Sequence, residues 1–526
     1  MSQVITITNE QYFYKVNTTV LILSAGYGKR MGSFSRMVNK GLIPFKDKPL
    51  ISHIFDRFPK DTKFIIACGH LGQQLKDYFA NVHSDKNLIF QDIDNFDEKS
   101  TGPATTISKC SDHINGSFFW IACDTIFDFN YRDKLDNNWI AVSPVDSVIA
   151  KDYCWIERDA DKILKVYNKV DSKKAVDAFI GFMYCKDRQY IDNLITNNFK
   201  ETPDGFLDNL DLKAYTVANW LDVGTYEKWE QLTANIEENS FPKPNEIFYR
   251  DNNKVVKYFK DEYNVSLRVK RAQANPACMP NNVQGVGNFL IHNWVDGDIV
   301  YNQATPELFE KMISWCENKL WAHKQFDNCE KVNSNFYWKK TKERLQQIRA
   351  KYSNWSEPTV VNGQPVENID YYLSKIDIDW LCKTYEWRFI HGDLHFDNTI
   401  YNPNTDEFTA IDWRTDFGGE LYGDLYYDLA KMLGGIYLNY KLVKADKFSY
   451  VENNDHAIID VPCVDNFHIY EKILKTWVEK NNLSWKKVKT LVPIIYLNMS
   501  PLHEYPFDKF LIALSQLHFA KLNEFN

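Results

Sequence analysis

The chain has 526 residues, 44% hydrophobic and 25% charged, a balance typical of a globular protein with room for two or three full cores. Its formal net charge is −8 and it has no basic block, so no nucleic-acid partner is expected. The start of the chain has no apolar run long enough for a signal peptide or a membrane span, so no membrane insertion is expected. Ten scattered cysteines form neither a CxxC pair nor a zinc-like Cys/His spacing, which points to reduced, mostly buried thiols and a cytoplasmic location.

Residues 1–17 precede the first clear strand and are expected to be an extension or an edge hairpin. Thr19–Leu23 is a short apolar, β-branched run and reads as a buried strand. It leads directly into Ser24-Ala25-Gly26-Tyr27-Gly28-Lys29-Arg30-Met31-Gly32. Glycines after a strand let backbone N–H groups approach phosphate, and Lys29 and Arg30 add positive charge. The loop is not a P-loop, because no Gly-Lys-Ser/Thr ends it. Nor is it the dinucleotide fingerprint, because Met31 stands where the third glycine belongs. Lys40 follows in Asn39-Lys40-Gly41-Leu42-Ile43-Pro44-Phe45. Then come a helix near Leu50–Phe58, a strand at Lys63–Cys68, a helix near Gln73–Phe79 and a strand at Asn87–Gln91. That alternation predicts a mostly parallel α/β sheet covered on both faces, with phosphate groups bound at the C-terminal strand ends. Asp124, closing the run Phe118–Cys123, fits that rule. A helix near Tyr226–Glu237 ends this part.

These residues resemble the sugar-phosphate and aminoalcohol-phosphate nucleotidyltransferases, whose signature is an L-x-A-G-x-G-x-R-M loop followed by a P-K-x-L-x-P-x-x-x-K-P-L segment. Here the two segments read LSAGYGKRMG and NKGLIPFKDKPL, with Asn39 replacing the usual proline. The resemblance runs to about residue 235 and implies a Rossmann-like α/β/α domain over 1–238. It implies that Ser24, Ala25, Gly26 and Gly28 bind nucleotide, with Thr101 and Gly102 of Ser100-Thr101-Gly102-Pro103-Ala104 near base and ribose. Arg30 and Lys40 would screen the phosphates as catalytic groups. Asp124, with Cys123 in place of the common glycine, and Asp222 of Asn219-Trp220-Leu221-Asp222-Val223-Gly224-Thr225 would hold Mg²⁺. Ala178–Tyr184 would lie over the acceptor, and Lys169 would meet the acceptor phosphate.

Ser240-Phe241-Pro242-Lys243-Pro244-Asn245 is the best linker, since two prolines favour an extended segment, and 239–245 is taken as the boundary. Ile247–Arg250 and Lys254–Phe259 then read as a hairpin carrying Lys257, placed to hold ATP phosphates. Glu262 is a candidate ion-pair partner for it or an exposed helix acid. Phe289–Gly297 reads as a strand and hinge. Leu308, Phe309, Met312, Ile313, Cys316 and Leu320 recur at helical spacing, as do Tyr470, Ile473, Leu474, Trp477 and Val478, marking core helices.

The most informative stretch is His391-Gly392-Asp393-Leu394-His395-Phe396-Asp397-Asn398, followed by Ile411-Asp412-Trp413. Strands near Asn398–Tyr401 and Phe408–Ile411 flank a turn, a hairpin that would bring Asp393, Asn398 and Asp412 together. In kinases such an Asp orients or deprotonates the attacking hydroxyl, while the Asn and the later Asp hold Mg²⁺. Residues 245–526 resemble the aminoglycoside phosphotransferase and choline kinase group, implying a two-lobed, protein-kinase-like α+β domain over 246–526. Asp428, in Gly423–Ala430, would brace the catalytic loop or be an ordinary first-turn acid. In choline-type kinases the residue after the I-D-W/F triplet is usually acidic; here Arg414 stands there.

A kinase makes X-phosphate and a nucleotidyltransferase consumes it. The two resemblances therefore imply a bifunctional enzyme using ATP and a second NTP (CTP, UTP, GTP or dTTP) to activate a sugar or polyol for surface polysaccharide or lipid synthesis. Choline or ethanolamine, processed by a kinase and a CTP-dependent cytidylyltransferase, is the alternative. A further alternative is an active kinase beside a degenerate, regulatory transferase-like half.

Overall fold

The computed structural model describes residues 18–94, 96, 102–196, 212–234, 245–322 and 329–523. Contacts divide the chain into two compact units, Met1–Lys260 with Val286–Phe289, and Asp261–Gly285 with Leu290–Asn526.

The first unit is built on nine strands: β1 Thr19–Ser24, β2 Lys63–Cys68, β3 Asn87–Asp92, β4 Phe118–Ala122, β5 Asn138–Val145, β6 Cys154–Asp159, β7 Lys162–Asn168, β8 Val176–Cys185 and β9 Leu212–Thr216. They form one sheet in the order β3-β2-β1-β4-β8-β5-β9-β7-β6. The β3-β2-β1-β4 half is parallel, as the alternation of elements predicts. The other half is mixed, because β8 runs antiparallel to β4, β5 and β6 and only β9 lies parallel to β5. The mostly parallel sheet expected from the first five elements therefore holds only for that half. Between Ala122 and Cys185 the chain returns through hairpins, such as β6–β7, and hairpins make antiparallel pairs.

Val20, Leu21 and Ile22 are fully buried because β1 is central and covered on both faces. Leu21, Ile65, Trp120, Ile140 and Met183 meet in the core beneath the sheet. Each such side chain contributes about 1.5–3 kcal/mol on burial, which fixes the strand ends that carry the polar loops.

The hairpin Glu246–Asp251/Lys254–Phe259 forms as read from the sequence. Its contacts, however, group it with the first unit, whereas the sequence boundary at 239–245 places it in the second. Tyr249 donates to Leu42 O at 2.8 Å. The Asp251 carboxylate, 2% exposed, accepts from Ser52 Oγ at 2.5 Å and Tyr78 at 3.3 Å and lies 2.8 Å from His83 Nε2. A buried carboxylate needs such partners, and here the first unit supplies them.

The second unit is mainly helical. Helices Pro306–Trp315 and Phe467–Lys480 occupy the two predicted apolar stripes; the first continues to Leu320 as a wider turn. At the centre lies Leu425–Tyr437, buried on nearly every side and packed against Trp485–Met499 and Phe467–Lys480. The predicted hairpin forms as Thr399–Asn402/Glu407–Ala410, with Asp298–Ile299 added to its edge. Among the described residues, no helix is long and apolar enough to cross a membrane, and all ten cysteines are free thiols.

Candidate functional site

In the first unit, Leu23, Ser24, Gly26, Gly28, Lys29, Arg30, Lys40, Cys123, Asp124 and Gly224 line a cavity of about 310 Å³. It opens where β1 and β4 end, the side of a parallel sheet on which ligands bind. The turn begins at Gly28 (φ +63°), whose carbonyl accepts Met31 N–H at 2.8 Å. Lys40 Nζ forms a close ion pair with Asp124 Oδ2. Burial alone would raise the Asp124 carboxyl. The Lys40 ammonium and its hydrogen bond, helped by Arg30, bring it below its ordinary value. Burial likewise opposes the Lys40 charge, but Asp124 raises Lys40 above the ordinary lysine value. Both groups are therefore held charged at neutral pH.

Asn39, where the resembling family has proline, holds Lys40 in place. It is fully buried. Its Oδ1 accepts from Ser24 Oγ at 2.6 Å and Gly41 N–H at 2.8 Å. Its Nδ2 donates to Ser24 O at 2.9 Å and His70 O at 2.6 Å. Gly41 N–H can only donate and the two carbonyls can only accept, so the amide orientation is fixed by chemistry. The bracket joins the end of β1, the loop after β2 and the turn carrying Lys40. Cys123 is similarly accommodated. It is buried, and burial followed by the Asp124 charge pushes its thiol up to about 11, so it behaves as a small neutral group.

Asp222 approaches Asp124 through Gly224. A Cβ on Gly224 would stand 2.7 Å from Asp222 Oδ1 and 3.1 Å from Asp124 Oδ2, so only glycine lets the two carboxylates converge. Asp222 Oδ1 accepts Gly224 N–H at 2.8 Å. Its Oδ2 accepts from the Tyr153 hydroxyl at 2.6 Å and Lys228 Nζ at 2.5 Å. Burial and the Asp222 carboxylate push the Tyr153 hydroxyl far up, so it keeps its proton as the donor. Tyr153 and Lys228 were not singled out in the sequence; Lys228, in the first turn of the helix after Asp222, is the one with a positional signal.

Among the described residues, no group of three or more His, Cys, Asp or Glu could hold a metal ion. Two converging carboxylates do suit Mg²⁺, which takes one or two carboxylates and completes its shell with water and phosphate oxygens. Asp124 and Asp222 would hold it, with Lys40 and Lys228 now neutralising those oxygens. Of the remaining sequence candidates, Ala25 is buried behind the loop, its carbonyl accepting His70 N–H. Gly102 caps the helix Pro103–Lys109, and Lys169 is exposed at the end of β7, its N–H bonded to Tyr153 O. None of these three lines the cavity. Thr101 lies outside the described residues.

In the second unit, Asn398 Nδ2 donates to Asp393 O at 2.8 Å and meets Asp393 Oδ2 at 3.2 Å. Ile411 N–H donates to Asn398 O at 2.9 Å and Arg414 N–H to His391 O at 3.1 Å, which sets the Asp412 backbone (φ +58°) alongside. The three predicted residues thus share one loop cluster. His391 Nδ1 accepts Asp393 N–H at 3.1 Å, so its proton is on Nε2, which donates to Ile411 O at 2.8 Å. Burial pushes His391 down to about 3, and it stays neutral.

The helix Leu425–Tyr437 braces this loop with two residues on one face. Asp428, fully buried, accepts Gly392 N–H at 2.7 Å, His391 N–H at 2.8 Å and Trp321 Nε1–H at 3.0 Å. Of its two sequence readings, the geometry is that of a loop brace. Three residues on, Lys431 Nζ lies 2.5 Å from Asp393 Oδ1. Burial would raise the Asp393 carboxyl, but Lys431 and His395 hold it well below the usual range. Lys431 was missed, although the i, i+3 spacing from Asp428 puts both on one face. Arg268 and Arg271, on the helix Glu262–Ala274, reach Trp413 O and Ile390 O. Glu262 is an exposed first-turn acid of that helix. Lys257 belongs to the first unit, its Nζ 5.9 Å from the Phe248 ring centroid.

Residues 20–149 match the family model of the MobA-like NTP transferase domain. The bifunctional protein GlmU of Methanococcus maripaludis is 24% identical over 232 residues, covering 41% of this chain and 53% of that protein. The chain thus spans about half the length of the curated relatives it matches. Among solved structures, HddC from Yersinia pseudotuberculosis is 18% identical with a TM-score of 0.34, covering 42% of this chain and 99% of that one. CTP:phosphocholine cytidylyltransferase (LicC) from Streptococcus pneumoniae is 16% identical with a TM-score of 0.34, covering 42% and 100%. The amino-terminal part of this mixed α/β chain therefore carries a MobA-like NTP transferase domain of nucleotidyltransferase type.

Proposed function

We propose that the chain is a bifunctional enzyme that phosphorylates a small hydroxylated metabolite with ATP and then couples the phosphate product to an NMP drawn from an NTP. The cavity at the ends of β1 and β4, where Gly26, Gly28, Arg30, Lys40 and Asp124 meet, carries this reading. In the transferase half, an acceptor phosphate oxygen attacks the α-phosphorus of the NTP and pyrophosphate leaves. Backbone N–H groups of the glycine loop cradle the phosphates, while Lys40 and Arg30 offset charge that develops on them. Mg²⁺, held by Asp124 and Asp222, would supply Lewis-acid neutralisation of phosphate charge. The Asn39 bracket and the converging acids argue against a degenerate half, since a binding relic has no need to keep Lys40 on Asp124.

In the kinase half, Asp393 binds the acceptor hydroxyl, and Asn398 with Asp412 would hold Mg²⁺. Asp393 is paired with Lys431 and is a weak base, so it orients the hydroxyl by hydrogen bonding. Lys257 keeps its sequence-based assignment to the ATP phosphates, and residues 246–526 theirs to the kinase domain, although contacts group the hairpin of Lys257 with the first unit. The product is a nucleotide-activated sugar or polyol. A choline or ethanolamine product is the second reading. It is favoured by Tyr153, which donates to Asp222 Oδ2 and lies 5.6 Å from Trp220.

The test is a product search by mass spectrometry with Mg²⁺, ATP, the four other NTPs and pooled sugars, polyols and aminoalcohols. A new nucleotide-diphospho product, absent in both Asp393→Ala and Asp124→Ala, is expected. A phosphorylated compound alone, unchanged in Asp124→Ala, refutes the coupled reading.

A further inference from the structure

Beside the Asp393 loop, two cations meet on one aromatic ring. Arg414 folds over Gly392 (φ +81°), where an added Cβ would stand 2.6 Å from Arg414 Cδ, so glycine is required next to Asp393. The Arg414 guanidinium carbon lies 5.2 Å from the centroid of the Phe336 ring, and Lys340 Nζ lies 3.8 Å from the same centroid. Lys431, paired with Asp393, adds its charge to theirs. Two nearby carboxylates are committed elsewhere. Asp393 is held by Lys431 and Asn398, and Asp416 accepts Gly419 N–H at 2.8 Å and Thr415 Oγ1–H at 3.0 Å within its own loop. Among the described residues, the Arg414 side chain donates one hydrogen bond, from Nε to Asp416 O at 3.3 Å, and its outer amino groups are not used in it. Arg344, one turn further along the helix Lys340–Lys351, bonds Gln347.

We propose that the metabolite phosphorylated in the second unit is anionic, a hydroxy-acid or phosphate-bearing alcohol whose negative group sits between Lys340 and Arg414. This rests on the phosphotransfer reading of Asp393. The cluster behaves as one lacking a counter-charge. Burial first, and then Arg414, Lys431 and Arg344, push Lys340 down to about 6, with Asp416 opposing only in part. An anion at this position restores the Lys340 charge, whereas a quaternary ammonium meets two cations. Guanidinium and ammonium groups on an aromatic face are preorganised for a carboxylate or phosphate, because little side-chain freedom remains to be lost.

The experiment uses the full chain with Mg²⁺ and ATP and follows ADP formation with matched acceptors: glucose, gluconate and glucosamine, glycerol, glycerate and glycerol phosphate, ethanolamine and choline. An acidic acceptor should exceed its neutral and amino counterparts by about tenfold or more in kcat/KM. Arg414→Gln and Lys340→Gln should each raise its KM by a similar factor, about tenfold, with the KM for ATP unchanged as the control for folding. Arg414→Lys should recover part of the loss. If a neutral or amino acceptor is preferred, or the KM of the acid is unmoved in both variants, the acceptor is not anionic and phosphotransfer itself stands. If no acceptor yields ADP above the Asp393→Ala background, the phosphotransfer reading falls and this inference with it.

Discussion

Asn39→Asp changes one nitrogen to oxygen at a fully buried position and isolates what the bracket does. Both acceptor functions of the side chain survive, toward Ser24 Oγ and Gly41 N–H. Both donor functions are lost, and the carboxylate then faces Ser24 O and His70 O across contacts of 2.9 and 2.6 Å. Two unpartnered buried carbonyls cost about 1–3 kcal/mol each, or about 2–6 kcal/mol together. Protonating the new acid limits that loss. Raising its pKa from about 3.9 to the pH of an experiment at about 7.5 costs about 5 kcal/mol, after which the OH serves one carbonyl. The expected destabilisation is therefore about 2–6 kcal/mol near neutral pH. The folded-state pKa of the new acid lies above its unfolded value, so the loss shrinks as pH falls between the two. Urea unfolding of the variant beside wild type, by circular dichroism at pH 5.5 and pH 8, measures both the size and the trend. Pyrophosphate release should fall with it, since the same bracket holds the turn of Lys40. A variant within about 0.5 kcal/mol of wild type at pH 8, or one whose deficit grows on acidification, refutes the bracket.

Three other perturbations test the remaining geometry. Gly224→Ala places a methyl between Asp222 and Asp124, so pyrophosphate release should drop by about 10²-fold while the unfolding midpoint barely moves; equal activity would show that the two acids need not converge. Burial raises the Asp428 carboxyl to about 6, above its unfolded value near 3.8, so its contribution is most favourable below that window and is lost as pH rises through it. The stability gap between wild type and Asp428→Asn should therefore narrow by up to about 3 kcal/mol from pH 4 to pH 6.5, and a widening gap contradicts the assignment. Lys228→Met removes the ammonium from Asp222 Oδ2, so half-maximal Mg²⁺ for pyrophosphate release should fall by about tenfold; an unchanged value would mean that lysine and ion do not compete there.

Local pattern was enough to determine the glycine loop after the apolar run Val20–Ile22, the hairpin between Asn398 and Asp412, and the amphipathic helices at Leu308 and Tyr470. Strand and helix periodicity, and the turn residues Asn402–Asp406, depend on neighbours in the chain. The same reading placed Lys40, Arg30 and Asp124 at the ends of parallel strands, and the cavity contains all three. It went too far in extending the parallel pairing beyond Ala122, because strand direction is set by connections that periodicity does not encode. Tertiary structure alone decided the rest. Asn39 reads as a lost proline until Ser24, His70 and Gly41 are seen around it. Tyr153 finds Asp222 across 69 residues. The hairpin at Tyr249 and Asp251 groups with the first unit because the partners of its buried carboxylate, Ser52, Tyr78 and His83, come from there. Lys340 and Arg414 meet at one aromatic ring, Phe336, although 74 positions separate them. Charge balance at a site is a sum over residues brought together from distant parts of the chain, and a sequence read along its length contains the charges but not that sum.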